Sequence, residues 1–70
     1  MTYDQAVDLI SGDLIVNRYG HVGLVLETEI FVLNQLICVH AYWQTGKKYD
    51  WFFHTSLYLL RRKNEQSNNE

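Results

Sequence analysis

The sequence predicts an all-β (mainly) protein: a five-stranded antiparallel small barrel preceded by a short N-terminal helix. Three observations predict it. From Asp13 onward the apolar residues follow the period of strands and not that of a helix. Turn-forming residues break the chain at short intervals, at Asn17–Gly20, Asn34-Gln35, Gln44–Lys48 and His54–Ser56. The 70 residues hold no proline and only one cysteine, Cys38, which excludes disulfides and an all-cysteine zinc site as staples. A chain this short buries only about 60% of its unfolded surface, and a closed antiparallel barrel suits that size.

Each element has its own signal. Thr2-Tyr3-Asp4-Gln5 forms a capping box, in which Thr2 accepts from the Gln5 N–H and the Gln5 side chain reaches back. Tyr3, Ala6, Val7 and Ile10 follow as the apolar stripe of a helix over about 3–10, stopped by Ser11-Gly12. Two helical turns are unstable alone in water, so this helix must dock. Leu14-Ile15-Val16 reads as the first strand and His21 to Leu33 as a long second one. Glu27-Thr28-Glu29 interrupts the latter, which predicts a bend or bulge and a change of buried face. Asn34-Gln35 is the expected hairpin turn. Leu36 to Trp43 is the third strand, with Ile37, Val39, Ala41 and Trp43 on its more apolar face. Tyr49 to Phe53 and Leu57 to Leu60 complete the set, giving one domain over 1–62 with the barrel at about 13–61. Lys63 to Glu70 has no apolar residue and reads as a disordered tail.

Charge is unevenly spread. The formal net charge is −2, which argues against strong nonspecific nucleic-acid binding. Yet Lys47, Lys48, Arg61, Arg62 and Lys63 gather within residues 47–63 against Asp50 alone, while Arg18 is the only lysine or arginine before them and Glu65 and Glu70 follow. No run reaches the ~18 apolar residues of a membrane span. Met1 to Ile10 carries Asp4 and Asp8 without a basic region, so it does not read as a secretory signal. A lone cysteine agrees with a reducing compartment, and a cytoplasmic location is expected.

Gly12-Asp13-Leu14-Ile15-Val16, followed by Gly20-His21-Val22-Gly23-Leu24-Val25-Leu26-Glu27, resembles the opening hairpin of Src-homology-3-type small barrels. Val39-His40-Ala41-Tyr42-Trp43 with Gly46 and Trp51 resembles their third and fourth strands. His54-Thr55-Ser56-Leu57-Tyr58-Leu59-Leu60 is similar to their 3₁₀ turn and closing strand. In layout the chain is similar to small uncharacterised proteins of tailed bacteriophages and marine viruses, and more distantly to KOW-type modules. The resemblance spans Gly12 to Leu60 and implies a fold more than a function. Two departures are the apolar Ile30-Phe31-Val32-Leu33, which enlarges the central hairpin, and the leading helix. The acidic loop with which peptide-binding members read arginine-flanked proline peptides has no clear counterpart here.

Candidate sites follow from chemistry and spacing. Cys38 and His40 share one strand face about 7 Å apart, without a third group to orient a nucleophile pair. His21, His40, His54 and Cys38 match no zinc spacing, so neither metal nor cofactor is expected, and no enzyme. Ile30, Phe31, Val32, Leu33 and Leu36 are apolar on both faces of one hairpin. Such a hairpin cannot hide both faces in its own small barrel, and an exposed patch marks an interface. The leading expectation is therefore a non-enzymatic interaction or assembly module, a homo-oligomer or the binder of a protein partner. The alternative is a nucleic-acid-binding surface of Lys47, Lys48, Tyr49, Trp51, Arg61 and Arg62, with aromatics to stack on bases and cations for phosphates.

Overall fold

The computed structural model describes residues 1–64. It contains helix α1 (Tyr3–Val7), strands β1 (Leu14–Asn17), β2 (Val22–Phe31), β3 (Leu36–Trp43) and β4 (Lys48–Phe53), a 3₁₀ turn at His54–Ser56, and β5 (Leu57–Arg61). The strands form one antiparallel sheet in the order β4-β3-β2-β1-β5. Five antiparallel strands and one short helix are thus as expected. The closure expected of a barrel is not made: β4 and β5 are the two edges, and no ladder joins them among the described residues. The 3₁₀ turn carries the chain from one edge to the other, and α1 packs against both that turn and β3.

The helix is shorter than its stripe suggested. The capping box forms, with Gln5 N–H donating to Thr2 Oγ1 at 3.2 Å and Thr2 N–H to Gln5 Oε1 at 3.0 Å. The helix nonetheless ends at Val7, because Leu9 N–H bonds Ala6 O and Ile10 N–H is taken by the Asp13 carboxylate at 2.9 Å. That tight exit turns Leu9 into the core and leaves Val7 and Ile10 exposed, so the buried stripe is Ala6 and Leu9 with Tyr3 packed beside them. Gly12 has the positive φ expected of it, +102°, but serves the turn into β1, donating its N–H to Val25 O.

A core of Ala6, Leu9, Ile15, Val25, Ile37, Val39, Ala41, Trp43 and Leu57 lines one side of the sheet, here the inner face. All four odd residues of β3 lie in it, as their alternation predicts. Gly23 faces Trp43 across the β2–β3 ladder, and a Cβ there would meet the indole at 2.9 Å. The bulge in β2 falls at Leu26, one residue before the expected Glu27-Thr28-Glu29. It reverses the alternation: Gly23 and Val25 face inward before it, whereas Thr28 and Ile30 share the face of Val39 and Ile37 after it.

His54 is buried, and its Nδ1 accepts the Ile37 N–H at 3.1 Å, fixing the 3₁₀ turn to the start of β3. At the far end, Asp13 Oδ1 accepts the Lys63 N–H at 2.7 Å. Lys63 opens the expected tail, whose residues 65–70 lie outside the described residues.

Candidate functional site

Cross-strand partners share a face, so the β2–β4 ladders define what stands on the outer side of the sheet. One row holds Leu24, Tyr42 and Tyr49; the next Glu27, His40 and Trp51; the next Glu29, Cys38 and Phe53; the last Phe31 and Leu36. Neither α1 nor the 3₁₀ turn covers this face, because both pack on the inner side with the core. Trp51 and Phe53 point outward and Phe52 inward, as alternation predicts, and Phe52 meets Trp43 edge-on at 5.3 Å.

The middle of the outer face is ordered by its rings. His40 stacks on Trp51 with centroids 4.5 Å apart and planes within 8°, and Tyr42 meets Tyr49 at 5.0 Å in an edge arrangement. His40 Nδ1 lies 3.4 Å from Glu27 Oε2, close enough for an ion pair when the ring is protonated but without hydrogen-bond geometry. Tyr49 remains 65% exposed and Trp51 42%. Beside them the edge of β4 is partly closed, since the Asp50 carboxylate accepts the Trp51 N–H at 2.9 Å. A carboxylate on an edge strand, bonded to its own backbone, discourages the addition of another strand.

The hairpin residues divide between three positions. Ile30 lies on the inner side opposite Ile37, at the sheet's end, and is still exposed. Phe31 and Leu36 pair on the outer face. Val32 and Leu33 belong to a four-residue loop, 32–35, rather than to β2, because the ladder ends at the Phe31–Leu36 pair and Gln35 takes a φ of +54°. Leu33 stands at the tip, 98% exposed.

The second set is not brought together. Tyr49 and Trp51 share the outer face, but Lys48 pairs with inward-facing Trp43, and Lys47 sits in the 44–47 turn with φ +48°. Arg61 and Arg62 lie at the opposite edge, four strands from β4, although Arg61 ends the outer-face row of Leu14, Leu24, Tyr42 and Tyr49. Arg62 donates to Gln5 O at 3.0 Å and faces Asp13 at 3.8 Å, a structural task.

Cys38 and His40 share the outer face as expected. Burial, and then the Glu29 carboxylate, push the Cys38 thiol above its ordinary range, which keeps it protonated and a weak nucleophile. Among the described residues no three His, Cys, Asp or Glu side chains converge on a metal site. Sequence reasoning missed Asp13, whose carboxylate ties the helix exit to the end of β5; its place between a glycine turn and a strand is the only local signal.

Compared with family models, curated proteins and solved structures, the chain matches none. No helix among the described residues is long and apolar enough to cross a membrane.

Proposed function

We propose that this protein is a non-enzymatic interaction and assembly module that self-associates through its 30–37 hairpin. The sheet order and the 3₁₀ turn before the last strand support reading it as an open relative of the Src-homology-3-type barrel, in a small accessory protein of viral or bacterial origin. A lone free thiol suits the reducing cytoplasm.

The observation that carries this reading is the hairpin end itself. Leu33 is 98% exposed and Val32 66%, beside Phe31 at 43% and Ile30 at 41%. Fully burying one such side chain stabilises by about 1.5–3 kcal/mol, so a partner covering the tip offers this small core what it lacks. Light scattering on the purified chain tests the proposal. An oligomer is expected for the natural sequence, and the mass of one chain for Phe31→Glu/Leu33→Glu, with an unchanged circular dichroism spectrum. A natural chain that stays monomeric, or a double variant of unchanged mass, would overturn it.

A further inference from the structure

We propose that the outer face of β2–β4, at Glu27, His40, Tyr49 and Trp51, receives a cationic side chain, lysine or arginine, presented by a partner protein. The inference rests on the reading of the chain as an interaction module but uses a patch separate from the hairpin tip.

Three properties of the face select this ligand. The first is ring orientation. His40 backs one side of the Trp51 indole at 4.5 Å and nearly parallel, while Tyr42 braces Tyr49 edge-on. Two large rings are thus held in place yet stay 42% and 65% exposed, and a cation is attracted to such a ring face within about 6 Å of its centroid. The second is charge. Glu27 stands in the same row as His40 and Trp51, its side chain 64% exposed, and Glu29 lies one row on. The Glu27 and Glu29 rows include no lysine or arginine: Lys48 faces the inner side, and Arg61, which ends the Tyr49 row beyond Leu24 and Leu14, is four strands away at the other edge of the sheet. Two carboxylates beside π faces present negative potential, which favours a cation and opposes a phosphate backbone.

The third property is the partly closed edge. Asp50 occupies the Trp51 N–H, so a partner gains little by adding a strand to β4 and instead presents a side chain to the face. The patch is carried on the strands themselves, away from the 17–20 turn and the 3₁₀ turn, so it does not reproduce the loop groove of proline-peptide readers.

Trp43 is buried and Trp51 exposed, so ligand-induced changes in tryptophan emission report on Trp51. The test titrates the full chain with hexalysine, hexaglutamate and a single-stranded oligothymidylate, followed by emission and by amide shifts at His40, Tyr49 and Trp51. Hexalysine is expected to perturb Trp51, to bind more weakly as salt is raised, and to lose roughly two- to fivefold in affinity in Glu27→Gln. Trp51→Leu should remove the shifts at His40 and Tyr49. No response to hexalysine at millimolar concentration, equal affinity in Glu27→Gln, or tighter binding of oligothymidylate would each overturn the assignment, the last in favour of nucleic acid. A monomer that binds hexalysine at Trp51 would support this site while refuting hairpin assembly, so the two proposals fail separately.

Discussion

Replacing Asp13 with asparagine tests how the helix exit, β2 and the end of β5 are tied together. Asp13 is 1% exposed, and each carboxylate oxygen accepts one backbone N–H, Oδ2 from Ile10 at 2.9 Å and Oδ1 from Lys63 at 2.7 Å. Asparagine keeps the shape but only one acceptor. Its NH₂ must point at one of the two donors, so one bond is lost and one part-buried N–H is stranded. Hydrogen bonds to charged groups contribute about 1.5–3 kcal/mol, and the surviving bond loses its charge assistance. Against this, the neutral amide is easier to bury, although Arg62, 3.8 Å from Oδ2, then faces no negative charge there. The balance is a loss of about 2 kcal/mol, taken from a total of roughly 3–10 kcal/mol for a chain of this size. Urea unfolding followed by Trp43 emission should show a lower midpoint at unchanged slope. The melting temperature should fall by about 8–16 °C, and amide exchange at Ile10 and Lys63 should accelerate. A loss below about 0.5 kcal/mol would refute the reasoning, since the net value of even one ordinary hydrogen bond is larger.

Two further predictions concern the β2–β3 ladder. Gly23→Ala places a Cβ 2.9 Å from the indole of buried Trp43 and should cost about 1–3 kcal/mol by overpacking, with a shift in Trp43 emission; a variant as stable as the natural chain would show that the indole moves freely. The folded Cys38 thiol keeps its proton where the unfolded one, near its ordinary 9.0, gives it up, so this group's stabilising effect is complete below that pH and is lost as pH rises above it. Urea midpoints measured across that range should therefore fall less steeply in Cys38→Ala, and identical slopes would contradict the burial argument.

Some of this structure is legible in local sequence and some is not, for identifiable reasons. β3 runs from Leu36 to Trp43 with the expected residues buried, because strict alternation over eight residues leaves only one way to face a core. The capping box formed for an equally local reason. The helix length was not legible, since Ile10 N–H is captured by Asp13, which is itself held by Lys63 from fifty residues away. Nor was the division of the basic residues. Lys47, Lys48, Arg61 and Arg62 are close in sequence, but β5 returns to pair with β1 and so stands at the edge opposite β4. Strand order is a non-local property, and a charge count along the chain carries no information about it.

The bulge at Leu26 links the fold to its outer face. Without the extra residue, the alternation set by Gly23 and Val25 would continue, Glu27 would pair with Val39 and Glu29 with Ile37, and two carboxylates would enter the core. Burying unpaired carboxylates costs several kcal/mol each, so the ladder slips by one and sends them outward beside His40 and Cys38. The same slip brings Ile30 opposite Ile37 and Phe31 opposite Leu36, building the hairpin end. The outward carboxylates are therefore already required by folding. The exposed aromatics of β4 are not: threonine or valine at positions 49 and 51 would pair with Tyr42 and His40 while leaving far less apolar surface in water. Rings that the core does not need, held rigidly beside carboxylates that the core cannot accept, are the part of this molecule that stability alone does not explain.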